Sequence, residues 1–304
     1  TNATSPLTSL NYTFKLPVLG FVSLRGEDGL GDEPQHELMG QVTEKFLTLM
    51  DVTWEYLSSD LVEAKEQVNR ANKCIESNKT FFFVVKKSTF EEEKLEGQDL
   101  KEKPVSRVIK SSEKPSFPTR LSTLESINKL KDNNTAVLAS TGKAGRELYE
   151  VEDAPNNLYM VGSMGCITPL ALGLALNKED KKVIAIDGDG ALMMRMGAMP
   201  TNAYYSPKNL LHILLDNNTH DSTGGQATIS HHIDFVSLAN SCGYETVVEV
   251  NTLEELESAV GQWSQELGLT FIYLKTAKGS KKDLGRPKIK PFEVKDRLME
   301  FLNG

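Results

Sequence analysis

Two stretches decide how this chain folds: Val183-Ile184-Ala185-Ile186-Asp187-Gly188-Asp189-Gly190, and Leu210-Leu211-His212-Ile213-Leu214-Leu215-Asp216-Asn217-Asn218. Each is a short apolar run that stops at a polar cluster. Runs of this kind are the mark of strands buried on both faces of a parallel sheet. A third run, Ala136 to Ser140, stops at Thr141-Gly142-Lys143. Around them, Leu121 to Leu130, Ile167 to Leu176 and Leu253 to Leu267 read as helices, and Tyr244 to Val250 and Thr270 to Leu274 as further strands. Strands that alternate with helices predict an α/β fold with a doubly wound parallel sheet, with ligands at the carboxyl ends of the strands.

The three polar clusters therefore fall where such a sheet binds its ligand. Glycines there let backbone N–H groups approach phosphate oxygens closely. An Asp and an Asn supply hard oxygen ligands of the kind Mg²⁺ takes beside phosphates. The local chemistry predicts a Mg²⁺-diphosphate site.

Working outward, residues 16–24 and 80–85 read as strands, with helices over 38–50 and from Asp60, an N-cap candidate, to Cys74. Residues 86–118 are rich in Lys and Glu, carry Pro104, Pro115 and Pro118, and are too poor in apolar residues for a core. They read as a solvated linker. The expected layout is a first α/β domain over 1–85, incomplete because it has few strands, a linker over 86–118, and a second domain over 119–304.

The 304 residues carry a net charge of -8, which gives no overall attraction to nucleic acid or to an anionic membrane. An anionic ligand must be held by local groups. No apolar run approaches the roughly 18 residues of a membrane span. Cys74, Cys166 and Cys242 are isolated, odd in number and without zinc-motif spacing, which points to a reducing, cytoplasmic setting. The first residues, Thr1-Asn2-Ala3-Thr4-Ser5-Pro6, are neither a signal peptide nor a Met start. His231-His232 read as a solvent-exposed pair and Cys166 as a small buried hydrophobe.

Gly188-Asp189-Gly190, then 26 residues (191 to 216), then Asn217-Asn218 resembles the thiamine diphosphate-binding motif. The gap has a physical cause: a helix must run back along the sheet before the next parallel strand delivers its Asn beside the Asp. Gly162-Ser163-Met164-Gly165 strengthens the likeness. The finer resemblance is to the phosphonopyruvate decarboxylase family. It is carried by residues 2–11, Arg25-Gly26-Glu27, Asp32-Glu33-Pro34-Gln35-His36, Ser140 to Lys143, Arg146-Glu147, Gly162 to Cys166 and Leu214 to Gln226. Sulfopyruvate decarboxylase is a close relative with the same layout.

The resemblance implies a carboxy-lyase of the thiamine diphosphate-binding fold that removes carbon dioxide from a 2-oxo acid, in phosphonate biosynthesis. Thr141, Gly142, Gly188, Asp189, Gly190, Ala191 and Asn217 would hold the cofactor. Met164 would wedge it into a bent form, and Gly162 and Ser163 would meet its pyrimidine. Asp189, the Asn217 amide and the Thr219 carbonyl would bind Mg²⁺, with Asn218 the alternative if the register differs by one. His36, Gln35 and Asp221 are candidates for proton transfer or polar contact. Ser222, Thr223, Gly224 and Gly225 are candidates for the phosphonate. Arg25 either pairs with Glu27 or Glu33 or meets that phosphonate. His220 braces its loop. Relatives share each site between neighbouring chains, so a homo-oligomer of at least two chains with sites at the subunit interface is implied. Such enzymes also need a Glu against the pyrimidine, upstream of residues 2–6 in the family's order. No Glu here takes that role, so the expectation is an incomplete chain. The rival readings are another 2-oxo acid, chiefly sulfopyruvate, and a non-catalytic cofactor-binding subunit or degenerate paralogue.

Overall fold

The computed structural model describes residues 2–94, 96, 97 and 101–304; Thr1, and within the expected linker residues 95 and 98–100, lie outside them. The chain forms two compact units, Thr1–Asp99 and Leu100–Gly304.

The first unit holds a parallel sheet of β1 (Leu19–Ser23), β2 (Thr53–Tyr56) and β3 (Phe81–Val85), in the order β1-β3-β2. Alternation along β3 sends its side chains to two faces. Phe81 and Phe83 pack with Ala71 of the helix Leu61–Glu76, and Val84 packs with Leu47 of the helix Glu37–Leu49. Asp60 caps the second helix as expected, accepting from the N–H groups of Val62 and Glu63 at 3.1 and 2.9 Å.

The second unit is built on seven parallel strands. These are β4 (Arg107–Ile109), β5 (Thr135–Ala139), β6 (Asn157–Tyr159), β7 (Lys182–Gly188), β8 (Leu210–Asp216), β11 (Thr246–Val250) and β12 (Thr270–Lys275). Their order is β4-β11-β12-β8-β7-β5-β6, and a short antiparallel pair, β9 (Thr219–His220) and β10 (Gln226–Ala227), follows β8. Every residue of β5 and β8 is buried, which requires helices on both faces and explains why these strands read as unbroken apolar runs. From β5 the chain steps out to β6 at one edge and then returns to β7 on the other side of β5. That reversal is the switch point where sheets of this kind open a crevice.

The expected linker differs from its reading. Residues 107–109 add an edge strand to the large sheet, pairing with Thr246–Val248 of β11. Ser116 N–H donates to the Asn251 carbonyl at 2.9 Å, and the Asn251 amide donates to the Glu113 carbonyl at 2.7 Å. The signal was weak because an edge strand is held by backbone bonds and leaves Arg107 and Val108 exposed, so no apolar pattern was required.

Candidate functional site

At the end of β7 the chain turns directly into the helix Asp189–Met194. Asp187 points into the protein, where the Thr168 hydroxyl and the Gly188 N–H each donate to it at 2.9 Å. Burial pushes this carboxyl up to about 6. His212, in β8, lies 3.8 Å from it, but burial holds that imidazole down to about 3, so it is neutral near pH 7 and the two do not form an ion pair. Asp189 is 3 % exposed and accepts a hydrogen bond from the Thr228 hydroxyl. Burial raises its pKa; the Thr228 bond opposes this and the charge of Asp216 adds to it. A buried carboxylate of this kind is stabilised by a bound cation.

The end of β8 sorts its three polar residues into separate tasks. Asp216 accepts from Asn218 N–H at 2.9 Å, from the Ser230 hydroxyl at 2.7 Å and from the Tyr273 hydroxyl at 2.8 Å, so it anchors the turn. Asn218, left-handed at φ 53°, donates its amide to the carbonyl and hydroxyl of Thr228 at 2.6 and 3.0 Å. Asn217 turns the other way, donating to Asp221 at 2.7 Å and accepting from Thr219 N–H at 3.1 Å.

The third strand end supplies a glycine corner. Gly142 has φ +94°, and a Cβ there would stand 2.5 Å from the Ser222 hydroxyl oxygen. A Cβ at Gly190 would stand 2.5 Å from Cε1 of His220 and 3.3 Å from Cε of Met164. Met164 itself sits in a bent segment in which Gly162, Ser163 and Gly165 all have positive φ; a buried Ser in that region needs firm support from its surroundings.

These groups line one cavity of about 240 Å³ at the carboxyl ends of β5, β7 and β8. It brings together Thr141, Gly142, Met164, Gly188, Asp189, Gly190, Ala191, Asn217, Thr219, Asp221, Ser222 and Thr223. Asn218 instead faces a neighbouring recess with Ser230 and Lys275. Gly162, Ser163, Gly224 and Gly225 are not in the cavity wall.

Two residues of the site had no role assigned from sequence. Arg120, 8 % exposed, opens the helix Arg120–Leu130 and forks onto Glu147 at 2.7 and 3.2 Å. Its remaining nitrogen donates to Asp221 at 3.1 Å. In the sequence Arg146-Glu147 stands out only as part of the family resemblance, and a lone Arg at a helix start carries no local signal. Thr228, which bridges Asp189 and Asn218, was likewise missed.

The remaining expected residues lie in the first unit, at the ends of β1 and of the following loop. Arg25 pairs with neither Glu27 nor Glu33; its guanidinium grips Asp32 at 2.8 and 2.5 Å. Asp32 also accepts from Gly26 N–H at 2.8 Å and faces His36 Nδ1 at 3.0 Å. Arg25 first, then His36, hold the Asp32 carboxyl well below the usual carboxylate range. Glu27 is taken by Lys86 at 2.6 Å. Gln35 is exposed beside His36.

The donor set fits a phosphate-bound hard cation. One buried carboxylate, one amide oxygen and a backbone carbonyl are oxygen ligands suited to Mg²⁺, and the absence of a side chain at Gly142 and Gly190 lets Ser222 and His220 pack against the strand ends. Among the described residues, no cluster of three or more His, Cys, Asp or Glu could hold a metal.

The comparisons agree with this geometry. Residues 140–274 match the thiamine pyrophosphate enzyme, C-terminal TPP binding domain. The chain is 36% identical over 303 residues to phosphonopyruvate decarboxylase of Streptomyces hygroscopicus, covering 99% of this chain and 75% of that one. It is 35% identical over 305 residues to phosphonopyruvate decarboxylase of Streptomyces viridochromogenes, covering 99% and 76%. It is also 35% identical over 187 residues to the sulfopyruvate decarboxylase subunit beta of Methanocaldococcus jannaschii, covering 61% of this chain and 98% of that subunit. With more than a third of its residues shared across nearly its whole length, this chain belongs to the phosphonopyruvate decarboxylase family of thiamine pyrophosphate enzymes.

Proposed function

We propose that the protein is a thiamine diphosphate- and Mg²⁺-dependent carboxy-lyase that converts 3-phosphonopyruvate to phosphonoacetaldehyde and carbon dioxide, within phosphonate biosynthesis. The observation that carries this reading is the meeting of Thr141-Gly142, Gly188 to Ala191 and Asn217 in one cavity at the switch point of the large sheet. The bond between the carboxylate and the keto carbon breaks, carbon dioxide leaves, and a proton takes the electron pair left on the former keto carbon. Thiamine diphosphate, when bound, supplies the electron sink for that pair.

The protein's own residues bind and orient. Thr141, Gly142, Gly190 and Ala191 line the place of the diphosphate, with the two glycines leaving their backbone N–H groups uncovered by a side chain of their own. Asp189, the Asn217 amide oxygen and the Thr219 carbonyl hold Mg²⁺. Met164, with its bent segment Gly162-Ser163, shapes the cofactor. Ser222, Thr223, Gly224 and Gly225 offer O–H and N–H donors to the phosphonate, with Arg25 as its charged partner. Proton transfer falls to His36, with Gln35 beside it; the Asp221 carboxylate, already taken by Arg120 and Asn217, has a supporting part. Assembly as a homo-oligomer of at least two chains, with sites at the interface, belongs to the same reading; the subunit beta relative supports assembly in general. Three free thiols support a reducing, cytoplasmic location, and among the described residues no helix is long and apolar enough to cross a membrane.

Sulfopyruvate is the second substrate reading, favoured by the likeness to the sulfopyruvate decarboxylase subunit. Carbon dioxide release from phosphonopyruvate, sulfopyruvate and pyruvate, measured side by side on the native assembled protein with cofactor and Mg²⁺, tests both. The highest kcat/KM is expected with phosphonopyruvate. A higher value with sulfopyruvate favours the second reading, and no release from any of the three refutes the activity.

A further inference from the structure

Asn217 is chemically two-ended: its oxygen can bind a cation and its NH₂ cannot, and a half-turn exchanges them. The surroundings decide between the two ends. The Asp221 carboxylate oxygen 2.7 Å away can only accept, so the NH₂ must face it. The Thr219 N–H 3.1 Å away can only donate, so the oxygen must face that side. A flipped amide would set oxygen against carboxylate and NH₂ against N–H.

Asp221 is itself held in place. Arg120 donates to the same Asp221 oxygen at 3.1 Å, and the Gly279 N–H donates to the other at 3.3 Å. Arg120 is locked by the forked pair with Glu147, whose side chain is 1 % exposed, and by the Gly279 carbonyl at 3.3 Å. A buried chain therefore runs from Glu147 through Arg120 and Asp221 to Asn217, across three separate segments of the second unit. Solvent competes little with it, because the Arg120 and Asp221 side chains are only 9 and 10 % exposed.

We infer that Arg120 and Asp221 are positioning residues that fix the Asn217 amide with its oxygen available to a divalent cation, and so set the metal affinity of the site. This deepens the proposed function and rests on it. Outer partners that orient a metal ligand are typically worth about 10–100-fold in metal affinity.

The test uses Mn²⁺ as the probe, titrated into the native assembled protein with saturating thiamine diphosphate, with free Mn²⁺ read by electron paramagnetic resonance. Asp221→Ala is expected to raise the Mn²⁺ Kd by about 10–100-fold. Asp221→Asn, whose carbonyl still accepts from Asn217, is expected to fall between Asp221→Ala and the wild type. Arg120→Met alone would leave two buried carboxylates facing each other, so the double variant Arg120→Met/Glu147→Gln, which removes both charges of the pair, serves as the second arm. It too is expected to weaken Mn²⁺ binding, with the apo-protein's melting temperature reporting its folding separately. Wild-type affinity in both Asp221→Ala and the double variant overturns the positioning role while leaving the proposed function standing. A wild-type protein that takes up no Mn²⁺ with the cofactor overturns the proposed function, and the positioning role with it.

Discussion

A methyl group at position 190 would stand 2.5 Å from Cε1 of His220, closer than real side-chain carbons come to a neighbour. Gly190 is thus held as glycine by His220, which braces the loop after β8 against the start of the helix after β7. Gly190→Ala should push His220 and Met164 aside, costing about 1–3 kcal/mol as overpacking does. Because both are side-chain ends, the fold should survive while thiamine diphosphate binding weakens by roughly tenfold or more, the equivalent of about 1.4 kcal/mol. Calorimetric titration checks this; an affinity equal to the wild type's would mean the cofactor does not use this corner.

Thr228 ties Asp189 of the proposed metal site to the turn after β8, donating to Asp189 while receiving the amide of Asn218. Thr228→Val keeps the shape and removes the hydroxyl. Loss of such an outer partner should lower Mg²⁺ affinity by about 10–100-fold. The measurement is the Mg²⁺ concentration needed for half-maximal cofactor binding, and an unchanged value would deny Thr228 this part.

His212 supplies a pH signature independent of catalysis. Burial carries its pKa from 6.5 down to about 3. The unfolded chain takes up this proton near pH 6.5 and the folded chain does not until about pH 3, so the stability is fully present above 6.5 and is lost as pH falls through that window. At about 1.4 kcal/mol per pH unit, the wild type should lose roughly 2 kcal/mol more than His212→Gln between pH 7.5 and pH 5. Denaturant unfolding at the two pH values checks it; equal losses would mean His212 is not the group responsible.

In the first unit, the Asp32 carboxylate can only accept, which sets the proton of His36 on Nδ1 and leaves Nε2 for exchange. His36→Gln should reduce kcat by about 100-fold, the scale of one general acid or base, and leave cofactor binding as it was. Asp32→Asn should give a smaller loss of the same kind. A His36→Gln enzyme with full kcat would remove His36 from proton transfer.

The parts legible in the sequence were those with a local physical signature. The buried strands around Ala136, Val183 and Leu210 showed as unbroken apolar runs, and the clusters after them showed as Gly, Asp and Asn; both are where they were expected. Arg25's partner is illegible because four acids follow it within eight residues (Glu27, Asp28, Asp32 and Glu33), and only the loop's shape selects Asp32. Arg120 and Glu147 were illegible for a stronger reason. They are separated by 27 positions, and Arg120 reaches Asp221 across 101, so nothing local marks either residue as part of the site. Edge strand β4 escaped because backbone pairing needs no side-chain pattern.

The most direct test of the central claim is calorimetric titration of thiamine diphosphate, in Mg²⁺, into the native assembled protein and into its Asp189→Ala variant. Saturable binding to the wild type and none to the variant is the predicted result. Equal binding to both, or none to the wild type, would contradict a cofactor held through Mg²⁺ on the Asp189 carboxylate.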